Sequence, residues 1–354
     1  MIRKVVLDDV AGIAHLENPM PFAGVNVILG KNDMGKTILL KMLYSVAKSL
    51  ETYTLRGENS DLPETYGTLL ASKIQGVYGR NRFILGDLVR KNGFPHRLSV
   101  KMEFDNSRFD LVEFSYGVDS KKVIKEVNVR MSENHLSPIN AVFVPANEVL
   151  SAFAAIKAMA RLFHYPGYDD TTLDLIELLD IPETSQTLLS EEALSKVQQM
   201  FGGELKQVDS SERFVFRKGN NEYRMFLTAE GVKHIGVLGT LLKNGSIRQG
   251  TILFLDEPEN NLHPSAVREF VKLIVLLSKL GVQVFLTTHN YFVLKQLQNE
   301  SIRHESDIVC CSLSRGDERV VEARFANLKE EMPDNDIVRE SLMMYDEDID
   351  LSMK

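Results

Sequence analysis

The sequence predicts an α/β protein with a doubly wound, mostly parallel sheet, and three apolar segments support this prediction. Residues 25–29, 251–255 and 282–286 are almost continuously apolar, as expected of strands that are buried on both faces. Helical patterns alternate with these segments, which is typical of parallel strands joined by helices. Polar residues follow each segment. Because the carboxyl ends of parallel strands meet at one edge of a sheet, we expect these polar residues to form one site.

Residues 30–37 read G-K-N-D-M-G-K-T and fit the phosphate-binding pattern G-x-x-x-x-G-K-[ST]. The glycines allow the backbone to curl, so that successive N–H groups point at one phosphate group. Lys36 places a compact positive charge against the β- and γ-phosphates, and Thr37 offers a hydroxyl to Mg²⁺ at the start of a helix. The predicted cofactor-binding residues are Gly30, Asn32, Asp33, Met34, Gly35, Lys36, Thr37 and Ile38.

Two adjacent carboxylates follow the apolar segment 251–255. Asp256 is predicted to bind Mg²⁺ together with Thr37, since Mg²⁺ prefers few carboxylates and several waters. Glu257 points elsewhere and is predicted to accept a hydrogen bond from the attacking water. His289, at the end of the next apolar segment, is predicted to contact the γ-phosphate or that water. These parts match the requirements of nucleoside triphosphate hydrolysis, with Glu257 and His289 as catalytic residues.

Composition narrows the class of protein. The chain has 354 residues, enough for two or three domains, and no apolar run approaches the roughly 18 to 20 residues that cross a bilayer. Residues 1–9 read as a strand rather than a signal peptide, because acids lie within the apolar part. Cys310 and Cys311 are adjacent in an apparent strand, so their side chains point to opposite faces and no bond between them is expected. We therefore expect a cytoplasmic protein with no membrane contact.

The net charge of -8 is unevenly distributed. Basic residues outnumber acidic ones between residues 73 and 130, whereas the last part of the chain is strongly acidic. A contact with nucleic acid through the basic segment is one interpretation, and docking of the acidic tail on it within the same molecule is another. The basic residues concerned include Arg80, Arg82, Arg90, Lys91, Arg97, Lys101, Arg108, Lys121, Lys122 and Lys125.

The order of the patterns predicts four parts. Residues 97–104 and 110–115 alternate between apolar and polar, as half-exposed antiparallel strands do. From about residue 151 the pattern becomes helical, and residues 214–227 then read as a hairpin. The predicted division is an N-terminal lobe with the phosphate loop and an antiparallel β subdomain (1–150), a mainly helical insert with the hairpin (151–224), the remaining core (225–330) and an acidic tail (331–354).

Three segments together resemble one group of ATPases. Residues 255–264, L-D-E-P-E-N-N-L-H-P, are similar to the D-E-P-E-x-x-L-H-P segment of ABC-type ATPases related to the OLD, RecF and SMC group. Residues 30–37 match that group's G-x-N-x-x-G-K-[ST], and residues 287–289 resemble its switch-histidine segment. The resemblance covers residues 1–50 and about 225–315. It implies a P-loop NTPase fold of the ABC-ATPase head type, with ATP and Mg²⁺ as cofactors.

The resemblance also implies a mechanism that needs two copies of the chain. In this superfamily two heads enclose two ATP molecules, and the second copy presents a signature segment to the γ-phosphate. The candidate signature is T-A-E-G-V-K at 228–233, in which Gly231 and Lys233 are the predicted nucleotide-binding residues. Ala229 stands where relatives commonly have a serine, so weak or partner-dependent hydrolysis is expected. The mechanism implies a homodimer or a higher oligomer.

One further Mg²⁺ ligand has two candidates in this sequence. Relatives usually supply a glutamine from a loop, and the resemblance leaves its counterpart open here. The first candidate is Asn147-Glu148, which follows an apolar run ending in proline, and the second is Gln75.

Two classes of function fit these predictions best. The first is an ATP hydrolase that acts as a conformational switch in a multi-protein complex for defence against phage and plasmids or for DNA repair. The alternative is a nucleotide-gated scaffold that dimerises and restrains a toxin or nuclease partner with little turnover. The energy-supplying subunit of a membrane transporter fits less well, given the helical insert and the altered signature. Nothing past Met332 resembles a nuclease, so if the system cuts nucleic acid, we expect a separately encoded polypeptide to do so. The nuclease or toxin partner itself is an expectation from the family resemblance.

Overall fold

A computed structural model of the protein describes residues 1–55, 62–80, 83–91, 96–105, 107–133, 138–163, 167–183, 191–208, 214–316 and 320–353. The strands within these ranges are β1 (Ile2–Val10), β2 (Ile13–Glu17), β3 (Val25–Leu29), β4 (Arg97–Phe104), β5 (Phe109–Gly117), β6 (Glu126–Met131), β7 (Asn140–Val144), β8 (Glu204–Gln207), β9 (Phe214–Lys218), β10 (Asn221–Arg224), β11 (Thr251–Asp256), β12 (Gln283–Thr288), β13 (Ile308–Arg315) and β14 (Val321–Asn327). The α-helices are α1 (Lys36–Leu55), α2 (Leu62–Tyr78), α3 (Phe153–Leu162), α4 (Asp170–Leu179), α5 (Glu191–Phe201), α6 (Glu230–Lys243), α7 (Pro264–Lys279), α8 (Tyr291–His304) and α9 (Asp336–Ser352).

Eleven of the described strands form one sheet, in the order β6-β5-β4-β1-β2-β14-β13-β3-β12-β11-β7. The five strands from β13 to β7 run parallel to one another. The five strands from β6 to β2 are antiparallel neighbours and form the subdomain that the alternating patterns predicted. The predicted α/β fold, with a parallel sheet and an antiparallel subdomain, is confirmed.

The register of the central strands brings their carboxyl ends together. Asp256 at the end of β11 pairs with Thr287 of β12, and Thr288 of β12 pairs with Leu29 at the end of β3. The phosphate loop, the paired carboxylates and the histidine segment therefore begin at adjacent strand ends. This is the arrangement that places ligand sites at one edge of an open α/β sheet.

Each central strand supplies side chains to two apolar cores, one on each face of the sheet. In β3, Val27 belongs to one core and Ile28 to the other, and in β11 Leu255 and Phe254 divide in the same way. Helices α1 and α2 pack in the core that contains Ile28, whereas α6, α7 and α8 pack in the core that contains Val27. The helix after the phosphate loop and the helix of the candidate signature thus lie on opposite faces of the sheet.

The hairpin expected at 214–227 is shorter in the structure. Its strands are β9 and β10, and residues Met225–Leu227 form a 3₁₀ turn instead of continuing the second strand. Met225 is buried, whereas Phe226 and Leu227 are both exposed. The alternation of buried and exposed side chains that a strand needs therefore stops at Arg224.

Most of the basic residues between 73 and 130 pair with carboxylates. Lys73 contacts both Asp170 and Asp174 of α4, at 3.0 Å in each case. The other pairs are Arg80–Asp170, Arg90–Asp9, Lys91–Asp87, Arg97–Glu126, Lys101–Glu103 and Arg130–Asp110. Lys121, Lys122 and Lys125 are exposed, and Arg82 lies outside the described residues. The positive charge available to a polyanion is therefore smaller than the number of basic residues indicates.

The predicted acidic tail contains helix α9. Asn335 caps its first turn, because Asn335 Oδ1 accepts a hydrogen bond from the Val338 N–H at 3.0 Å. No residue of α9 is buried. Neither α9 nor any other helix of the described residues is long and apolar enough to cross a membrane.

Replacing Gly67 of α2 with alanine should destabilise the protein, although alanine is the better helix former by about 1 kcal/mol. An added Cβ would lie 2.3 Å from the carbonyl oxygen of Ile124, which is backbone and can move only with its strand connection. We expect the free energy of unfolding in urea to fall by about 1–3 kcal/mol. Gly117→Ala is the control, since nothing lies within 4 Å of its added Cβ. A Gly67→Ala protein as stable as the wild type would contradict this account of the packing.

Candidate functional site

The backbone conformation of the phosphate loop depends on its glycines. A Cβ on Gly30 would meet the carbonyl oxygen of Leu313 at 2.8 Å, so the loop passes β13 at a distance that only glycine allows. Gly35 has a φ of 82°, and Asp33 has a φ of 68°, both in the left-handed region. The loop thereby turns directly into α1, whose first N–H groups lack carbonyl partners within the helix. The N-terminus of such a helix favours the binding of an anion.

The other predicted loop residues divide between the core and the surface. Met34 is buried in the core that contains α1, and Ile38 packs against the same core. Their backbone groups are therefore the parts that can face a ligand. Asn32 and Asp33 are exposed at the outer side of the loop.

Lys36 lies folded over the phosphate loop and is 5% exposed. Its Nζ donates to the carbonyl oxygens of Gly30 at 2.8 Å and of Lys31 at 3.2 Å. The same Nζ is 3.7 Å from Glu257 Oε1. A phosphate group in the loop would thus meet a cation that is already held in place by the loop itself.

The Asp256 carboxylate connects three elements. Thr37 Oγ1 of α1 donates to Asp256 Oδ1 at 2.9 Å, and Thr287 Oγ1 of β12 donates to the same oxygen at 2.7 Å. Thr287 Oγ1 also accepts from the Glu257 N–H at 2.9 Å. The predicted magnesium ligands Thr37 and Asp256 are therefore adjacent, and they offer the hard oxygen donors that Mg²⁺ prefers. Sequence reasoning assigned no role to Thr287, which positions both carboxylate residues.

Glu257 turns away from Asp256 because the strand ends there. Its φ of 43° lies in the left-handed region, so its side chain contacts a different set of partners. Glu257 Oε1 is 3.0 Å from His289 Nδ1, and Asn260 Nδ2 is 3.4 Å from Oε2. Burial opposes ionisation, but the hydrogen bond and charge of His289, together with Lys36, hold the pKa of Glu257 below its usual range. The two predicted catalytic residues are thus in direct contact, and Glu257 is a carboxylate that can accept a hydrogen bond.

Glu259 is a second buried carboxyl group, which sequence reasoning left without a role. It is 4% exposed, and its Oε1 accepts a hydrogen bond from Thr288 Oγ1. Oε2 is buried without a hydrogen-bond partner, and burial raises the pKa of Glu259. Glu259 belongs to the motif at residues 255–264, but the motif does not predict its burial. That burial depends on the position of Thr288 in the neighbouring strand.

The candidate signature lies at the start of α6 and is tied to its own chain. A Cβ on Gly231 would meet the carbonyl oxygen of Asn261 at 2.8 Å, so glycine permits α6 to pack on the segment after the paired carboxylates. Lys233 is buried, and its Nζ donates to Glu230 Oε1 at 2.7 Å and to Ser151 Oγ at 2.8 Å. In this structure the Lys233 charge is therefore compensated within the chain by Glu230.

The two candidates for the loop ligand of Mg²⁺ occupy different surroundings. Glu148 follows β7, accepts hydrogen bonds from the Leu150 and Ser151 N–H groups, and lies 3.6 Å from Lys233 Nζ. Gln75 Nε2 donates to the carbonyl oxygens of Phe83 and Lys121. The first candidate is next to the strand that carries Asp256, because β7 pairs with β11, whereas the second is bound to the connections of the antiparallel subdomain.

Glu259 gives the stability a testable pH dependence. Its raised pKa means that the folded state keeps a proton that the unfolded state has released, so stability falls as pH rises from the ordinary glutamate range through the folded pKa. In Glu259→Gln, whose side chain does not titrate, this loss should disappear. The measurement is urea unfolding of both proteins between about pH 4 and pH 8. Parallel curves for the two proteins would contradict the assignment, and Glu192→Gln, at an exposed site on α5, is the control.

Comparison with known proteins agrees with this geometry. The family model described as "AAA domain, putative AbiEii toxin, Type IV TA system" matches residues 25–295, which is more than half of the chain. The Old nuclease of Escherichia phage P2 is 36% identical over 72 residues, which are 20% of this chain and 11% of that protein. The match thus spans about a tenth of the length of this curated relative.

Two solved structures share the fold. The Smc head bound to the C-winged helix domain of ScpA superposes with a TM-score of 0.56 at 15% identity, covering 93% of this chain and 98% of that chain. The Smc head domain with an extended coiled coil, bound to the C-terminal domain of ScpA from Pyrococcus furiosus, gives 0.54 at 15% identity, with 93% and 97% covered. The resemblance drawn from the motifs is confirmed. The chain therefore belongs to this AAA-domain family and has the fold of the P-loop ATPase heads of the SMC and OLD type.

Proposed function

We propose that this protein binds ATP and Mg²⁺ at the carboxyl edge of its sheet and hydrolyses the ATP as a conformational switch. The observation that carries the proposal is the convergence of Lys36, Thr37, Asp256, Glu257 and His289 within hydrogen-bond and ion-pair distances of one another. These residues come from three separate segments of the chain. Phosphoryl transfer depends on positioning and charge neutralisation, which is what this set of groups supplies.

Each residue has a distinct role in the proposed reaction. The loop amides and Lys36 would hold the phosphates, and Thr37 and Asp256 would hold Mg²⁺, which would supply positive charge to the phosphate oxygens. Glu257 accepts a hydrogen bond from the attacking water, and its low pKa keeps it ionised for this purpose. His289 contacts Glu257 through Nδ1 and would orient it, and its imidazole would contact the γ-phosphate or the attacking water. The start of α6, with Gly231, serves the nucleotide of a second copy.

The proposal includes two copies of the chain. Helices α1 and α6, which begin at the phosphate loop and at the candidate signature, pack on opposite faces of the sheet. Two heads that face each other would bring the signature of each to the phosphate loop of the other. In this arrangement residues 1–150 and 225–330 form the ATPase core, residues 151–224 an insert, and residues 331–354 an acidic extension.

A second candidate function is favoured by the signature itself. Ala229 provides no hydroxyl, and Lys233 is buried with Glu230, Ser151 and Glu148 around it. Both features reduce the contacts that a second copy can offer to the γ-phosphate. A nucleotide-gated scaffold, which closes on ATP and turns it over slowly, is therefore the alternative to an active hydrolase.

The biological setting is proposed from the family and the relatives. The family description names a toxin and a toxin–antitoxin system, and one relative is a phage nuclease. We infer that the protein is the ATPase subunit of a complex for defence or DNA repair, with a nuclease or toxin as a separately encoded effector. A nucleic-acid contact would involve the exposed Lys121, Lys122 and Lys125. Cys310 and Cys311 are both free and buried, in keeping with a reducing cytoplasm.

Replacing Lys36 with alanine should remove nucleotide binding. The loss of a charged donor to the phosphates costs roughly 1.5–3 kcal/mol per hydrogen bond, so ATP affinity should fall at least about tenfold. Titration calorimetry with a non-hydrolysable ATP analogue measures the change. Lys41→Ala, which alters the same helix but pairs with Asp169 away from the loop, should bind as the wild type does. Unchanged affinity in Lys36→Ala would contradict the assignment of the phosphate site.

Glu257→Gln should block hydrolysis and leave ATP binding intact. The amide keeps the shape of the side chain but is a poor acceptor for the proton of water, so the rate should fall by about 100-fold or more. The trapped state should elute from a sizing column as a dimer in ATP and Mg²⁺. Glu192→Gln, on the exposed surface of α5, should retain wild-type turnover. A Glu257→Gln protein that binds ATP and stays monomeric would rule out the two-headed mechanism.

A further inference from the structure

Helix α9 carries large apolar side chains into solvent. Val338, Leu342, Tyr345 and Ile349 follow the spacing that puts side chains on one face of a helix. We call this set the α9 stripe. Leu342 is 55% exposed and Tyr345 is 65% exposed. An apolar helix face that is exposed to solvent is typical of a surface that binds a partner.

The start of α9 is attached next to the phosphate loop. Lys31 Nζ, within the loop, is 3.3 Å from Asp336 Oδ2 in the first turn of α9. Ile337 and Val338 pack against the core that contains β3, so this end is fixed. Beyond this end, residues 339–352 of the helix extend about 21 Å, and the side chains from Leu342 onward are mostly exposed.

The charge of α9 restricts the chemistry of its partner. Only one basic side chain accompanies its carboxylates, and that residue, Arg339, already pairs with Asp334 and Asp336. Two α9 helices side by side would repel each other because both are acidic. We therefore expect the surface that binds the α9 stripe to be both apolar and basic. The carboxylates of α9 belong to Asp336, Glu340, Asp346, Glu347, Asp348 and Asp350.

Such a surface lies directly before the candidate signature. Phe226 is 62% exposed and Leu227 is 70% exposed, and the Arg224 guanidinium lies over the Phe226 ring at 5.9 Å. We call these three residues the signature-flank patch. Lys218, at the end of the adjacent strand β9, is also exposed. The patch thus combines apolar area with positive charge, which complements the α9 stripe.

We propose that α9 of one copy docks on the signature-flank patch of a second copy when ATP brings the two heads together. The inference rests on the proposed function, because only facing heads place the phosphate loop of one copy, where α9 begins, opposite the signature of the other. Within a single chain Leu342 and Tyr345 of the α9 stripe are exposed, and so are Phe226 and Leu227 of the patch, so α9 does not cover its own patch. The docked helix would add contacts that the altered signature lacks, since Ala229 gives no hydroxyl to the nucleotide.

Cross-linking between two distinguishable chains tests this contact. One Glu257→Gln chain carries Leu342→Cys, and a second, tagged Glu257→Gln chain carries Leu227→Cys. The native Cys310 and Cys311 are 0% and 3% exposed, so the introduced thiols are the reactive ones. We expect a mixed cross-link in ATP and Mg²⁺ and at least tenfold less in ADP. Leu55→Cys, at an exposed site at the end of α1, replaces Leu342→Cys in the control and should give none.

Dimer affinity provides an independent measurement. Leu342→Asp with Tyr345→Asp, in the Glu257→Gln background, should raise the dimer Kd at least about tenfold, because two apolar side chains would leave the interface. Met344→Asp lies off the α9 stripe on the same helix and should change the Kd less than about twofold. Far-UV circular dichroism confirms that α9 remains folded in each variant.

The outcomes separate the inference from the function on which it rests. A dimer that forms in ATP without the mixed cross-link, and with an unchanged Kd in the double variant, would overturn the α9 contact and leave the two-headed mechanism intact. A cross-link that forms equally without nucleotide would also overturn it. Glu257→Gln that binds ATP but never dimerises would remove both proposals.

Discussion

The hydrogen bonds to the Asp256 carboxylate are the interaction on which the rest of this site depends. Two hydroxyl groups donate to it, Thr37 from the helix after the phosphate loop and Thr287 from the neighbouring strand. A buried carboxylate is tolerated only when such donors compensate for the water it has lost. The same bonds fix the distance between the phosphate loop and the strand ends. Removing either hydroxyl would leave the buried Asp256 carboxylate with fewer hydrogen-bond donors. Helix α1 or strand β12 would then lose its link to Asp256.

Glu257 and Glu259 lie one and three residues beyond Asp256. They show that the surroundings of a carboxyl group decide its protonation. Glu257 and Glu259 are separated by one proline, yet their pKa values move in opposite directions. Glu257 faces His289 and Lys36, which stabilise its charge. Glu259 faces the core with one oxygen unpaired, so burial favours its neutral form. The left-handed backbone at Glu257 creates this difference, because it turns the chain between the two side chains.

The predictable part of the molecule is the part whose signals are local. The phosphate loop, the buried strands and the paired carboxylates occupy short segments, and the chemistry of each follows from residue types a few positions apart. The contacts of Lys233 and Gln75 were not predictable in this way. Lys233 was assigned to a nucleotide, but it lies among Glu230, Ser151 and Glu148, of which two come from a distant loop. The residues that surround Lys233 depend on how α6 packs, and a local sequence pattern does not determine that packing.

The sequence alone determined the fold class, the buried central strands with their intervening helices, and the residue types available for phosphate, Mg²⁺ and water. Hydrophobic periodicity and motif spacing carry this information because both act over one turn or one strand. The tertiary structure decided which of these residues meet. It placed α1 and α6 on opposite faces of the sheet, buried Glu259, and left the apolar stripe of α9 uncovered beside the phosphate loop. The physical reason is that strand register and helix packing join residues more than 200 positions apart, as Thr37 and Asp256 show.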